Sequence, residues 1–208
     1  MTIANGYATL LQIKNRINSL GMSADATDDA TIENMVEQAS RAIDGLCGGR
    51  TFYARTETHY FDTPNGPQLD LDDDLLAITT LTNGDATVVT SGQYFLIDRN
   101  RLPYYAIKLR ASAGIIWQLD SNGDEEQAIS LAGSWGYVDR AATDARSVMV
   151  VRNTEEACIL TVLNEYHRLS GENISGTAIV TAAGVAITPQ GIPQKAADLI
   201  RIYAKGNS

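Results

Sequence analysis

The chain has 208 residues, of which 44% are apolar and 20% are charged, and its formal net charge is −9. This composition is ordinary for a globular protein and argues against collagen-like repeats, an isolated coiled coil and intrinsic disorder. The negative charge argues against any function that relies on broad attraction to phosphate. The length leaves room for one domain or two small ones, and one compact domain is the simpler prediction.

No apolar run in the sequence is long enough for a membrane helix. The longest runs, which include 148–151, have four residues, whereas a membrane helix needs about twenty. Residues 1–7 carry neither a basic stretch nor an apolar core for secretion, so we expect a soluble protein made in the cytoplasm, with no membrane partner. Cys47 and Cys158 are then expected to be thiols.

The chain opens with two predicted helices. Thr9 can cap a helix, with the Gln12 side chain reaching back, and apolar residues at helical spacing predict that this helix covers 9–20. An Asp pair starts a second helix over 29–46, and two consecutive glycines after it provide the stop.

From residue 50 onward the apolar pattern changes towards a period of two, and turn sequences such as Asn83-Gly84 recur at short intervals. Such spacing predicts short antiparallel strands that form a small sheet or a partly closed barrel. The candidate strands are 55–61, 68–71, 76–81, 86–90, 93–97, 106–110, 114–119 and 127–133.

Helical spacing returns later in the chain and predicts a helix over 154–170. The short apolar run before it, 148–151, fits either a strand or an early helical turn. Residues 177–188 alternate and predict a hairpin. Pro193 opens a last helix that extends to about Lys205.

Together these elements predict an α+β fold, with a small helical bundle from both chain ends and a β-rich antiparallel insert in the middle. We expect a single domain over 1–208. Its helical parts are predicted at 1–50 and 153–208, and the insert at 51–140.

The charge is concentrated in one stretch of the chain. Residues 56–98 carry eight acidic residues and no Lys or Arg, and the most closely spaced are Asp70, Asp72, Asp73 and Asp74. The next twelve residues hold no acid and four bases, which are Arg99, Arg101, Lys108 and Arg110. Solvated turns around strands are the simpler interpretation of such runs. The alternative is a pair of complementary binding surfaces.

Few side chains suited to catalysis or metal binding are present. The sequence has two histidines and no phosphate loop or dinucleotide fingerprint. Asp120 to Asp124 resembles the start of a calcium loop, but Glu125 stands at the glycine position, so a hairpin turn explains it better. Consecutive carboxylates at 72–74 point in different directions on an extended chain. We therefore predict no catalytic residue, no metal and no cofactor.

Two other function classes stay open on the residues alone. The fold could join Cys47 and His59 as nucleophile and base, which would make a small cytosolic Cys-dependent enzyme. Trp117 and Trp135 could instead serve a monomeric β-rich module that binds a peptide or a glycan. A buried thiol, a strand histidine and core tryptophans are the simpler interpretations.

Several segments, in their order and spacing, resemble a known family. They are YATLLQIK (7–14), Asp28-Asp29, VEQASRAID (36–44), CGGR (47–50), THYFD (58–62), LLAITTL (75–81) and GSWGY (133–137). A helix near residue 160 and a last helix from Pro193 to Tyr203 complete the order. The chain resembles, over nearly its full length, the head-tail connector (adaptor) proteins of tailed bacteriophages, the gp6-like group. The long β-rich insert and the hairpin at 177–188 depart from the simplest members.

The resemblance implies a non-enzymatic virion protein at the head-tail junction, made in the cytoplasm of a bacterial host. Such a protein binds the portal after packaging and forms a ring that extends the DNA channel. It also provides the docking surface for a stopper or tail-completion protein. Matching the portal implies a homo-oligomer of about twelve copies, through which double-stranded DNA passes without specific binding.

Two sets of contact residues follow as hypotheses. The C-terminal segment combines basic and apolar residues at a terminus free to dock, and the predicted portal contact consists of Lys195, Ile200, Arg201, Ile202, Tyr203 and Lys205. A ring needs two complementary surfaces on each subunit. The predicted ring interface or channel surface consists of Asp70, Asp72, Asp73, Asp74, Arg99, Arg101, Lys108 and Arg110.

Overall fold

The computed structural model describes residues 3, 5–22, 24–170, 179–180, 186–187 and 191–205. The chain divides into two compact units. Met1–Gly49 and Val148–Ser208 form the first, here called the helical unit, and Arg50–Ser147 form the second, the β unit. Helices from both chain ends flank a β-rich middle, so the predicted α+β class is confirmed. That the two units belong to one domain stays a prediction.

Four α-helices lie among the described residues: α1 (Leu10–Ser19), α2 (Asp29–Leu46), α3 (Ala145–Ser170) and α4 (Gln194–Ile200). The first begins with the predicted capping box, because the Gln12 N–H donates to Thr9 Oγ1 at 3.2 Å and the Thr9 N–H donates to Gln12 Oε1 at 2.7 Å. No described helix is both long enough and apolar enough to cross a lipid bilayer.

Two predicted helix boundaries are wrong. Helix α3 begins at Ala145 rather than at residue 154, because the Asp144 carboxylate accepts the Ser147 N–H at 3.0 Å and caps an earlier start. The run 148–151 is therefore helical. Helix α4 ends at Ile200, and a 3₁₀ turn over Arg201–Tyr203 replaces the continuous helix predicted to Lys205.

The helical unit is held together by an apolar core and by polar contacts between its helices. Ile13 and Ile17 of α1 and Val36 of α2 are fully buried. Arg16 of α1 forms an ion pair with Glu156 of α3 at 2.7 Å. Ser40 Oγ of α2 lies 3.7 Å from Cys158 Sγ of α3, so both α1 and α2 contact α3 in the expected bundle.

The β unit contains one antiparallel sheet of five described strands, in the order β1-β5-β2-β4-β3. The strands are β1 (Arg55–Phe61), β2 (Gln68–Thr82), β3 (Tyr94–Ile97), β4 (Tyr104–Leu109) and β5 (Ile129–Trp135). One side of the sheet covers the core, and its fully buried members include Leu75, Ile107, Ile129, Leu131 and Trp135. The two outermost strands are β1 and β3.

Several strand predictions need correction. The predicted strands 68–71 and 76–81 are one strand, β2, whose register shifts between Asp70 and Leu75. Neither 86–90 nor 114–119 forms a strand, and Val88 makes only an isolated bridge to Thr82. The reason is a side chain: Asn83 Nδ2 donates to the Ile116 carbonyl at 2.9 Å, and the Gln118 N–H donates to Asn83 Oδ1 at 2.9 Å. An asparagine thus takes the hydrogen bonds that a strand partner would have made.

In the predicted hairpin at 177–188, the described residues form two short antiparallel strands, β6 (Ile179–Val180) and β7 (Ala186–Ile187). The rest of that predicted hairpin lies outside the described residues.

Candidate functional site

Three consecutive aspartates of β2 face three different partners within the β unit. Asp74 Oδ2 lies 2.6 Å from Arg50 Nε, and Asp73 Oδ2 lies 2.7 Å from Arg55 Nη2. Asp72 Oδ1 lies 3.0 Å from His59 Nδ1. The carboxylates therefore do not converge, and the described residues contain no group of three His, Cys, Asp or Glu side chains that could hold a metal ion.

The Arg50 and Arg55 pairs are partly withdrawn from water. The Asp74 side chain is 8% exposed and that of Arg50 is 16% exposed. Burial alone would lower the pKa of Arg55, but attraction to Glu57 and Asp73 outweighs burial and raises that pKa above its ordinary value. These two members of the acidic set are therefore engaged in ion pairs inside the unit.

The residues of the enzyme hypothesis have structural roles. The His59 ring stacks on Trp135 with centroids 3.9 Å apart, and its nitrogens face Asp72 and Glu57. The Cys47 thiol, in the helical unit, is fully buried and lies 3.6 Å from the Ile200 carbonyl oxygen. These contacts account for both residues and give no support to a thiol enzyme.

The tryptophans of the binding-module hypothesis are core residues. Trp117 and Trp135 are both buried. The Trp117 indole N–H donates to the Pro67 carbonyl at 3.2 Å, and that of Trp135 donates to the Glu57 carbonyl at 3.2 Å. Neither ring offers an exposed face on which a sugar could stack.

The guanidinium groups of two arginines lie over the ring of Phe95 in β3, in a feature that we call the Phe95 cradle (Phe95, Arg99 and Arg110). The guanidinium carbon of Arg110 lies 4.1 Å from the centroid of the Phe95 ring, and that of Arg99 lies 5.5 Å from it. Tyr94 and Tyr104 help to line the groove beside the ring, which has a volume of about 230 Å³. The cradle thus combines two cations with an aromatic surface.

The four basic residues of the predicted ring interface form no ion pair with a carboxylate in the described part of the chain. Among the described residues, no carboxylate lies within 4.0 Å of the charged nitrogens of Arg99, Arg101, Lys108 or Arg110. The side chains of Arg99, Arg101 and Lys108 are exposed, and that of Arg110 is half-buried. They form a cationic surface on a chain whose net charge is negative.

One exposed member of the acidic set, Asp70, lies beside this surface. In the antiparallel register of β2 and β4, Asp70 lies opposite Ala106 and Gln68 lies opposite Lys108. Because alternate residues of a strand share a face, Asp70 and Lys108 lie on the same side of the sheet. Asp72 is also exposed. The sequence did not indicate that Asp70 and Lys108 lie on the same face of the sheet within one subunit.

A second acidic surface is the loop over 120–126, which we call the acidic loop. It carries Asp120, Asp124, Glu125 and Glu126, and all but Asp120 are exposed. The N–H groups of Asn122 and Asp124 donate to Asp120 Oδ1 at 2.8 and 2.9 Å. These bonds, that from Asp124 above all, lower the pKa of Asp120 below its ordinary value. The predicted turn is confirmed. The sequence analysis did not predict that its carboxylates form an acidic surface.

The predicted portal-contact residues divide into buried and exposed groups. Ile200 and Tyr203 are buried, and Asn153 Nδ2 donates to the Tyr203 hydroxyl at 2.8 Å. The Lys205 N–H donates to the Cys47 carbonyl at 3.1 Å. The outward-facing members are Lys195, Arg201 and Ile202.

Comparisons with known proteins identify a similar fold. No protein-family model matches the chain, and no curated protein matches it. A solved structure described as the neck of an empty GTA particle, computed with C6 symmetry, contains a chain with the same fold at a TM-score of 0.58 and 15% identity. The alignment covers 100% of this chain and 94% of that one.

Proposed function

We propose that this chain is a non-enzymatic structural subunit of the neck of a phage-like particle, where it connects the head to the tail. The observation that carries the proposal is the likeness of fold to a neck chain over 100% of this chain and 94% of that one. The resemblance of the ordered sequence segments to phage head-tail connectors also supports it. The buried positions of the thiols and tryptophans are those of structural residues.

In this role the chain assembles as a ring of identical subunits around the DNA axis, and the ring docks on the portal and receives a stopper or tail-completion protein. The similar neck structure was computed with C6 symmetry, which suits a ring of six copies or of about twelve. A net charge of −9 suits a DNA conduit, because a negative wall repels phosphate and lets it pass.

The cationic surface on β3, β4 and the segments that follow them is the proposed subunit contact. Its four bases (Arg99, Arg101, Lys108 and Arg110) lack acidic partners within the described part of the chain, so a neighbouring subunit can supply them. Asp70 and Asp72 are the exposed acidic candidates for the interface or the channel wall, since Asp73 and Asp74 are engaged internally.

The exposed C-terminal residues Lys195, Arg201 and Ile202 are the proposed portal contact. Because Ile200 and Tyr203 pack inside the helical unit, deletion of the segment would remove core residues, so a point variant is the better test. Ile202→Asp should prevent heads from joining tails, and Leu11→Asp is the matched control because both side chains are about equally exposed, at 70% and 68%. If heads join tails equally well with both variants, the exposed C-terminal residues are not the portal contact.

The overall role is tested by omission. Particles produced without this chain should accumulate as separate DNA-filled heads and free tails, because the two have no connector. Addition of the purified chain to these heads should restore attachment. Complete, infectious or DNA-transferring particles made in its absence would refute the proposal.

A further inference from the structure

We propose that the Phe95 cradle of one subunit binds the acidic loop, residues 120–126, of a second copy of this chain. This inference rests on the proposed ring and names the two surfaces that join its subunits. The cradle and the acidic loop are different parts of the β unit. Contact between two different surfaces is heterologous, which is the kind that closes identical subunits into a ring.

The cradle has the chemistry of a carboxylate receptor. Arg99 and Arg110 each present a planar guanidinium, a group whose parallel N–H donors match the two oxygens of a carboxylate. Cation–π contact with the Phe95 ring restricts the positions of both guanidinium groups. Because the side chains are already positioned, less conformational entropy is lost when an anion binds.

The cradle favours side-chain contact over addition of a strand. Arg110 Nε donates to the Tyr94 carbonyl oxygen at 3.1 Å. Tyr94 lies on β3, an outermost strand of the sheet. The Arg110 guanidinium therefore covers one of the backbone acceptors that a strand from another molecule would use.

The acidic loop offers the complementary charge. Asp124, Glu125 and Glu126 have no cationic partner within 4.0 Å among the described residues. The loop is also held in one shape, because Asp120 accepts two of its backbone N–H groups and the Thr63 N–H donates to the Glu125 carbonyl at 2.9 Å. A shaped loop with three exposed carboxylates can enter a cationic groove at low entropic cost.

The other acidic candidates fit the cradle less well. Asp73 and Asp74 have arginine partners in their own subunit. Asp72 contacts His59, and Asp70 already lies near Lys108 on the same face of the sheet. Of these described candidates, the acidic loop therefore presents the largest group of carboxylates that have no cation within 4.0 Å.

Charge reversal of each surface provides the test. The cradle variant carries Arg99→Glu and Arg110→Glu, and the loop variant carries Asp124→Lys, Glu125→Lys and Glu126→Lys, while Asp120 is kept because it shapes the loop. Self-association of the intact chain is measured at low salt by native mass spectrometry and sedimentation velocity. Each variant alone should associate at least about tenfold more weakly than wild type, because like charges then face each other.

A mixture of the two variants should restore the ring. In a ring that alternates the variants, every acidic cradle faces a basic loop and every basic cradle faces an acidic loop, so the complexes should contain both in equal numbers. Unchanged melting temperatures of the separate variants would show that both remain folded. Asp70→Lys with Asp72→Lys, mixed with the cradle variant, is the matched control and should not restore association.

The outcomes separate the two proposals. If wild type forms rings but the mixture of cradle and loop variants does not, the interface is wrong and the ring stands. Rescue by the Asp70 and Asp72 variant alone would assign the contact to the strand and refute the loop. A wild-type chain that stays monomeric at high concentration would overturn the ring, and this inference with it.

Discussion

The β unit contains two groups of arginines whose surroundings differ. Arg50 and Arg55 form ion pairs with Asp74 and Asp73 at 2.6 and 2.7 Å. Arg99 and Arg110 instead lie over the Phe95 ring, and neither has a described carboxylate within 4.0 Å. The charges of the first group are paired with carboxylates inside the fold, whereas those of the second group can pair with carboxylates of another molecule.

This difference separates stability from association. A cation withdrawn from water needs its anion, so loss of that anion destabilises the fold. A cation that is not enclosed with an anion keeps more of its contact with water, so its loss changes stability less and partner binding more. The two groups therefore predict opposite patterns of effect for the same kind of substitution.

The largest expected effect is at Asp74. Asp74→Ala leaves Arg50 partly buried without this carboxylate, and we expect the free energy of unfolding to fall by about 3 kcal/mol. Urea denaturation measures the change. In the double variant Arg50→Met with Asp74→Leu, much of the stability should return, because neither charge of this pair is then buried without its partner. A loss below about 0.5 kcal/mol for Asp74→Ala would place this pair with ordinary surface charges.

A smaller effect is expected within the cradle. Arg110→Ala should cost about 1 kcal/mol of stability, since Arg110 stacks on Phe95 and also donates to the Tyr94 carbonyl. Arg99→Ala should cost less than about 0.5 kcal/mol, because Arg99 is exposed and farther from the ring. Denaturation of both variants in the Phe95→Leu background would measure how much of each loss of stability comes from contact with the Phe95 ring. Losses as large as that of Asp74→Ala would abolish the distinction between the two groups.

The smallest effect concerns the shape of the acidic loop and depends on pH. The folded pKa of Asp120 lies below its ordinary value of 3.8, so its contribution to stability is present above the unfolded pKa and is lost as the pH falls through the folded pKa. Wild type should melt at a slightly higher temperature than Asp120→Asn at neutral pH, and the gap should close below about pH 4. Ser121→Ala, a substitution without a titratable group, should show no such closing. A gap independent of pH would mean that the carboxylate does not hold the loop.

Much of the helical unit could be predicted from local sequence. Thr9 and Gln12 form a capping box that involves no distant residue, and the apolar period of α2 fixed its length. The start of α3 was missed because the predicted start at 154 ignored Asp144, whose capping bond becomes visible only with the backbone in place. Strand predictions failed where Asn83 bonds a segment more than thirty residues away in sequence.

The contact surfaces were harder to predict, since charge runs do not reveal their partners. The sequence grouped Asp70, Asp72, Asp73 and Asp74 as one acidic set, but long-range pairing with Arg50 and Arg55 removes two of them from the surface. Arg99 and Arg110 were identified as basic residues, while their convergence on Phe95 depends on the pairing of β3 with β4. The acidic loop has four carboxylates over seven residues in the sequence. Asp120 to Asp124 was compared with a calcium loop and interpreted as a hairpin turn, so the sequence did not predict that its charge forms a contact surface.

The central claim is that this chain forms a ring in the neck of a particle. Cryo-electron microscopy of purified particles, with an epitope tag on the chain bound by an antibody fragment, tests it most directly. We predict several copies of the tagged chain arranged in a ring around the DNA axis, between the head and the tail. Labelled density elsewhere on the particle, or particles that carry no copy of the chain, would contradict the account.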